Sequence, residues 1–532
     1  MSKDKFFDRE PYLDILEKRI RDLKEGYRQN IAVIGNETAG KTSLIFKFLN
    51  KFCDNRIIIL YLEARPESLN SFAQRFIGVL LYNFLINSGI RLQEDLGFLI
   101  KNSAKYIPKT CEKIKGILAS LERRKKSDIF PELLSLCESV HLEANKYCVV
   151  ILDEFHNLEN MGIKNLYAEW CKVLITQKNT LYIIISSLVF KAKNILLKQL
   201  SLLFGNFEVI TLEPFDIKTS EGYLKSKFQE FNTDLDAGLR NFIVHFTGGY
   251  PFYLELITEQ CLKPGRGELA DTLEGMLFEP SGTLNQRFSS YLKPFLDSSG
   301  SPDYLSILYL ISSGHNKIKD IAQLLHKAKK EIIPRINSLL ELGVLSRNGD
   351  FLAFSDRVFG FWLKFVYQEK MRSLTFDAKN QKTLFRDKIQ GMIQEFLHSA
   401  KKPVTERIQE LLRLFCDETI QIERKKIRLA HFREIKPLEF NRRGLKEGLI
   451  GRSQDTLWIL AFKRDGLTEE DIAEFARECK KYRHKLQRKI IIAFQDIDTN
   501  AKLRALEEKI WTWDLNNLNQ ILDMFLKPRI IA

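Results

Sequence analysis

The sequence predicts an α/β protein of several domains, led by a parallel sheet with helices on both faces. Short, almost wholly apolar runs (Ile31–Ile34, Ile57–Leu62, Cys148–Leu152 and Leu181–Ser186) alternate with helix-period stretches over residues 1–215. Strands this apolar are buried on both faces, as in a sheet covered by helices. A glycine-bearing loop joins the first run to an amphipathic stretch, the strand–loop–helix order of such a sheet. The length of 532 residues exceeds what one core fills and suggests about three to four domains at roughly 150 residues each.

Between the second and third runs, residues 68–145 carry helical patterning and no strand signal. Residues 217–295 read as helices interrupted at Gly248-Gly249-Tyr250-Pro251, and residues 303–367 as three helices and a hairpin at Asn348-Gly349-Asp350. Asn-Gly is the favoured two-residue hairpin turn. Residues 376–532 read as two helices, strands, a helix over 468–486, the strand Lys489–Phe494, a helix, the strand Ile510–Trp513 and a final helix. The expected domains are 1–216, 217–300, 301–372 and 373–532.

The hydrophobic share of 45% and charged share of 28% are those of a folded globular chain. A net charge of +14 favours anionic partners such as nucleic acid, or simply solubility. The cysteines are scattered with no C-x-x-C pair, which offers no zinc or redox motif and fits a reducing compartment. No apolar run approaches the ~20 residues that span a bilayer, and Met1-Ser2-Lys3-Asp4-Lys5 is not of signal-peptide type. The expectation is a cytoplasmic protein without a membrane partner.

Gly35-Asn36-Glu37-Thr38-Ala39-Gly40-Lys41-Thr42 fits G-x-x-x-x-G-K-[ST] between an apolar strand and a helix that begins at Ser43. Glycines let the backbone curl round phosphate, and the amides with the helix N-terminus supply positive potential. Lys41 is expected to reach the β- and γ-phosphates of ATP, and the Thr42 hydroxyl to ligate magnesium. Val149-Val150-Ile151-Leu152-Asp153-Glu154 is an apolar strand ending in two acids, at the strand end where open α/β sheets bind ligands. Asp153 is expected to hold Mg2+ through water, and Glu154 to orient the attacking water as catalytic base. Ser186 and Ser187, at the end of the next strand, are candidate γ-phosphate sensors.

These residues resemble the archaeal-type ATPases of the STAND and AAA+ lineage, relatives of origin-recognition ATPases. Phe7-Asp8-Arg9-Glu10-Pro11-Tyr12-Leu13 is similar to the family's lead-in, which packs near adenine, with Tyr12 in place of a Glu. Asp153-Glu154-Phe155-His156 resembles D-E-F-Q, Leu203-Phe204-Gly205-Asn206-Phe207 resembles L-[YF]-G-R-[FR], and Gly248-Gly249-Tyr250-Pro251 resembles G-G-x-P, whose proline packs near the nucleotide. The resemblance therefore adds Arg9 and Pro251 to the nucleotide site. Asn206 stands where the family has an Arg, which implies either slow hydrolysis, because an arginine finger is worth ~10³-fold or more, or an Arg supplied from elsewhere. Glu37 stands where the family often has an Arg, and an acid there must point outward.

The helices and hairpin of residues 301–372 resemble a winged helix-turn-helix, with the third helix in the recognition position. Lys327, Lys329, Lys330 and Arg335, with Arg347 on the wing, could pair with DNA phosphates. The alternative is a module that packs internally. Phe359, Phe361, Trp362, Phe365 and Tyr367 mix helical faces, as in a docking core. The last domain resembles the restriction-endonuclease-like fold. Its expected metal strand, Leu457–Lys463, keeps Lys463 but has Ala461 at the acid position; Glu406 and Glu439 could be remnants of other acids. No nuclease activity is expected. Arg424, Lys425, Lys426 and Arg428 form one basic cluster, and Lys480, Lys481, Arg483, Lys485, Arg488 and Lys489 another.

The reading is an α/β multidomain ATPase: a P-loop core, a helical lid, a winged helix-turn-helix and a nuclease-like domain. It would act as a slowly hydrolysing Mg-ATP switch, working on double-stranded DNA or answering a protein trigger as a signalling or defence scaffold, and assembling as a homo-oligomer. A metal-dependent nuclease is the weaker alternative.

Overall fold

A computed structural model of the chain describes residues 7–89, 95–122, 129–200, 207–263, 267–297, 301–372, 377–423, 425–440, 444–454, 456–482 and 486–531. The chain divides into two compact units, Met1–Pro214 with Glu341–Gly343, and Phe215–Leu340 with Val344–Ala532.

The first unit is built on strands β1 (Asn30–Ile34), β2 (Ile57–Glu63), β3 (Tyr147–Asp153), β4 (Thr180–Ser186) and β5 (Phe207–Thr211). Their order is β2-β3-β4-β1-β5, with every neighbouring pair parallel. Side chains alternate across a strand, and both faces are buried. Ile31, Val33, Val149, Ile151, Ile183 and Ile185 pack with helices Glu10–Lys24 and Lys41–Lys51. Ala32, Ile34, Val150, Leu152, Tyr182 and Ile184 pack with the helices of the insert, which are Leu69–Asn87, Leu96–Ser103, Pro108–Glu122 and Ile129–Ala144. The apolar runs and the helical insert thus stand where the sequence places them. β5 does not appear among the expected strands. Phe207-Glu208-Val209-Ile210-Thr211 mixes charge with apolar residues and pairs on one side only, with β1; Glu208 is bridged by Arg19 at 2.7 Å.

The second unit opens with helices Ile217–Glu230, Ala237–Thr247, Pro251–Cys261, Leu269–Leu277 and Thr283–Asp297. Helices Ser301–Ser312, Ile318–Leu324 and Lys329–Glu341 follow, then the hairpin β6 (Leu345–Asn348) and β7 (Phe351–Phe354). Asn348 pairs with Phe351, so the two-residue turn is Gly349-Asp350, one position later than expected. Gly349 has φ +59 and Asp350 is not among the positive-φ residues; glycine at the first turn position is the II′ pattern rather than the I′ pattern of Asn-Gly. Phe359, Phe361 and Trp362 are buried, with the Trp362 indole donating to Asn285 at 2.9 Å, as a docking core requires.

Strands β8 (Thr419–Ile422) and β9 (Lys425–Arg428) form a small antiparallel sheet. A larger sheet comprises β10 (Glu434–Glu439), β11 (Glu447–Arg452), β12 (Leu457–Lys463), β13 (Leu486–Ala493) and β14 (Trp511–Trp513), in sequence order. Its first two pairings are antiparallel and its last two parallel. The helix expected over 468–486 ends earlier: it spans Glu469–Cys479 with one 3-10 turn to Tyr482, and β13 begins at Leu486. Arg424, Arg483 and Lys485 lie outside the described residues.

The tip of the β6–β7 hairpin is seated on β8. The Asn348 carboxamide donates to the Gln421 carbonyl at 2.8 Å and accepts from its amide at 2.6 Å. Asp350 donates its amide to the Thr419 carbonyl at 2.9 Å and accepts the Thr419 amide at 2.7 Å. These bonds cover the β8 edge that faces away from β9, as an exposed strand edge requires.

A second polar chain crosses the unit. Tyr250 donates to the Ser355 carbonyl at 3.1 Å and Tyr253 to the Asp356 carboxylate. Arg357 pairs with Asp523 at 2.8 Å, and Arg529 pairs with the same carboxylate at 2.7 Å. Burial pushes the Asp523 carboxyl up, but the two guanidinium groups outweigh it and hold the pKa at about 2.

Candidate nucleotide site

The site begins where β1 runs out. Gly35 donates its amide to the Ser186 carbonyl at 3.2 Å, and Leu212 donates to Ile34 at 2.7 Å, so the root of the loop is held by its neighbours on both sides. A Cβ at Gly35 would meet the Leu212 carbonyl oxygen at 2.5 Å; only glycine fits. Thr38 has φ +67 and Gly40 φ +87, a curl that a β-branched residue adopts only under strain. Ala39 is buried and Glu37 is exposed, pointing outward as expected. Helix Lys41–Lys51 starts immediately, with Thr42 and Ser43 exposed. The first-turn amides of a helix lack intrahelical partners and face an incoming anion.

Lys41 is buried, and its Nζ donates to the Asn36 carbonyl at 2.9 Å. Burial lowers its pKa, against the opposing pull of Glu154, Asp153 and Glu37. Arg9, also buried, donates to the Glu213 carbonyl at 3.0 Å, and burial brings its pKa down to about 10. Arg9 adds to the cationic field at Lys41.

The acids stand at the end of β3. Asp153 Oδ1 accepts the Glu154 amide at 2.9 Å, and Oδ2 accepts the Thr42 hydroxyl at 3.3 Å and the Tyr61 hydroxyl at 2.7 Å. Thr42 and Asp153, the two expected magnesium ligands, therefore meet. Their hydroxyl–carboxylate donor set fits magnesium, which takes one or two protein ligands and completes its shell with phosphate and water.

Glu154 turns back on a left-handed backbone, φ +49. Its Oε2 accepts both the amide and the hydroxyl of Ser187 at 2.9 Å. Burial raises its pKa, opposed by the Ser187 bonds and by Lys41. The two expected sensor serines are thus already engaged. Ser187 holds Glu154, and the fully buried Ser186 hydroxyl lies 2.9 Å from His156 Nδ1 and accepts the Leu188 amide at 3.2 Å. Burial, with Lys191 and Lys41 nearby, lowers the His156 pKa to about 4. Sequence reasoning missed Tyr61, His156 as a partner of this group, and the Ser187–Glu154 pair. The available signal for Tyr61 was a lone hydroxyl in an aliphatic strand.

Pro251 is in the second unit, in the first turn of helix Pro251–Cys261, where proline is well tolerated. Asn206 lies outside the described residues. Lys329 and Lys330 are exposed. Arg335 instead pairs with Asp303 at 2.7 Å, sharing that carboxylate with Lys327, and Arg347 Nε donates to the Gly349 carbonyl at 2.9 Å. In the C-terminal sheet Ala461 is fully buried, and Lys463 pairs with the buried Asp471 at 3.0 Å. Glu406 and Glu439 are exposed.

A phosphate-binding loop, a strand-end carboxylate beside its threonine, and a parallel sheet beneath them define a P-loop ATPase domain. A family model described as an ATPase domain predominantly from Archaea matches residues 6–257, so the chain carries an archaeal-type ATPase domain. No curated protein matches. Among solved structures, the chain is similar to the Walker-type ATPase Paby2304 of Pyrococcus abyssi, at 20% identity over 67% of this chain and 96% of that one, TM-score 0.49. It is similar to the Aeropyrum pernix ORC2 protein in its ADPNP–ADP complexes, at 14% identity over 68% and 94%, TM-score 0.38. It is also similar to the Thermotoga maritima RuvB Holliday junction branch migration motor, at 13% identity over 70% and 98%, TM-score 0.32. Among the described residues no helix is long and apolar enough to cross a membrane.

Proposed function

We propose that the chain is an ATP-operated switch in which nucleotide at the P-loop changes the state of the second unit as one piece. The polar chain from Tyr250 and Tyr253 through Ser355–Arg357 to Asp523 and Arg529 carries this reading. It ties the G-G-x-P segment, the hairpin segment and the last helix together, so a displacement at one is passed to the others. A switch needs differential contacts in two states rather than catalytic speed.

Lys41 and the loop amides would bind the phosphates. Thr42 and Asp153 would hold magnesium, which neutralises phosphate charge during transfer. Glu154 has to leave Ser187 before it can orient a water, and this step supports slow basal turnover. Residues 301–372 would be a winged helix whose hairpin works inside the molecule, as the bonds from Asn348 and Asp350 to β8 suggest. The last domain would be a nuclease-like fold without its metal site, given the Ala461 methyl and the Lys463–Asp471 pair. The exposed Lys329 and Lys330 favour a second reading, in which the third helix of this segment touches DNA.

The test is amide hydrogen exchange with and without Mg-ATP, in wild type and Lys41→Ala. The switch reading expects ATP-dependent protection at 248–253, 355–357 and 523–530, absent in Lys41→Ala. Protection confined to the first unit refutes it. DNA-stimulated ATP hydrolysis that fades with salt would establish the second reading.

A further inference from the structure

Tyr61 carries the one hydroxyl in the run Ile57–Leu62. On β2 it pairs with Ile151 of β3, while Glu63 pairs with Asp153. Tyr61 and Asp153 are therefore diagonal neighbours on one face, within reach of a long aromatic side chain. That face is the one covered by helix Lys41–Lys51, and Phe46 of this helix lies against the Tyr61 ring at 5.3 Å between centroids. The ring is supported from the helix while its hydroxyl bonds Asp153 Oδ2 at 2.7 Å.

We propose that Tyr61 is a positioning residue of the metal–nucleotide site, fixing Asp153 so that Thr42 presents its lone pairs to magnesium. The inference rests on the Mg-ATP reading of the site. Thr42 gives its hydroxyl proton to the same Oδ2 at 3.3 Å, which leaves the threonine oxygen free to ligate a cation. Among the described residues, the other bond to the carboxylate is the Glu154 amide on Oδ1. Without Tyr61, rotation about the Cβ–Cγ bond of Asp153 is opposed by that amide and by the long Thr42 bond alone. With Tyr61, both oxygens are held by short bonds, one from β2 and one from the residue that follows β3. A tyrosine suits this position because its ring packs while its hydroxyl finds a partner.

The experiment uses the full chain and a fluorescent ATP analogue. Affinity is measured in EDTA, then Mg2+ is titrated at fixed nucleotide. Tyr61→Phe is expected to leave the EDTA affinity within about twofold of wild type and to raise the Mg2+ half-saturation about tenfold, the effect of losing a hydrogen bond to a charged group. In an Asp153→Asn background Tyr61→Phe should add nothing. A purely packing role would leave the Mg2+ dependence where it is in wild type. If Tyr61→Phe fails to fold, Phe46→Leu, at a half-exposed position beside the Tyr61 ring, should shift the Mg2+ half-saturation in the same direction; no shift there overturns the inference equally. An unmoved half-saturation beside a responsive wild type refutes the role of Tyr61 alone. A wild type whose nucleotide binding ignores Mg2+ overturns the Mg-ATP reading and this inference together.

Discussion

Replacing Gly349 by alanine should undock the hairpin from β8. A Cβ at Gly349 would lie 1.9 Å from the Thr419 carbonyl oxygen and 2.7 Å from its carbon, and neither backbone atom can swing aside like a side chain. The residue also sits at φ +59, which costs an L side chain roughly 1–2 kcal/mol. Relief of the clash requires the tip to move off β8 and give up the Asn348–Gln421 and Asp350–Thr419 bonds. At about 0.5–1.5 kcal/mol each, these four bonds bring the expected loss to roughly 3–8 kcal/mol, less whatever water restores. Asn348→Ala removes only its own pair of bonds and creates no clash, so its loss should be about 1–3 kcal/mol. Hydrogen exchange at the Thr419, Gln421 and Asp350 amides reads the docking directly, and thermal unfolding reads its contribution. Unchanged protection of those amides in Gly349→Ala would refute the docked arrangement and the intramolecular role of the hairpin.

Glu154→Gln should bind ATP like wild type and lose turnover by about 10²-fold or more; hydrolysis at the wild-type rate removes Glu154 as the base. Gly35→Ala should abolish nucleotide binding in an equilibrium titration, because its Cβ would push the loop off the Leu212 carbonyl at 2.5 Å. His156 is held neutral down to about pH 4 while the unfolded chain protonates it below about 6.5, so it removes stability as pH falls through that window, at up to about 1.4 kcal/mol per pH unit. The raised Glu154 acts with the opposite sign, so the measurement is the melting temperature of His156→Gln relative to wild type over pH 4–7, which should rise as pH falls. Asp523, at about 2 against an ordinary 3.8, contributes stability that is present above the ordinary value and lost as pH falls toward 2; Asp523→Asn should flatten the acid limb of the unfolding curve and lower stability at neutral pH by about 3 kcal/mol or more.

The strands of the ATPase sheet were legible because burial on both faces leaves an unbroken apolar run, as Val149–Leu152 shows. β5 was not, because an edge strand tolerates Glu208 and loses that signature. The phosphate loop, Thr42 and Asp153 could be placed from spacing alone, since backbone curvature and strand order dictate where they go. Tyr61 could not, because its role depends on the register of β2 against β3, which brings residues 92 positions apart into contact. The same holds for the hairpin turn. Asn-Gly is the local preference, but Asn348 is drawn instead to the backbone of Gln421, 73 positions away, and the turn closes on Gly349-Asp350.

The nucleotide site and the second unit make complementary demands. Around the P-loop the polar groups are satisfied by partners that ATP would have to displace: Lys41 rests on the Asn36 carbonyl, and Glu154 on Ser187. Phosphate, with its larger charge, can take Lys41 from the carbonyl and the Ser187 donors from Glu154. In the second unit the corresponding bonds are ionic and shared, with one carboxylate, Asp523, serving two guanidinium groups. Breaking one partner there leaves charge without compensation, so the unit resists internal rearrangement. The switch proposed above rests on this contrast, between contacts that yield at the nucleotide site and ionic contacts within the second unit. That division of stiffness, more than any single residue, is what a nucleotide-operated switch requires.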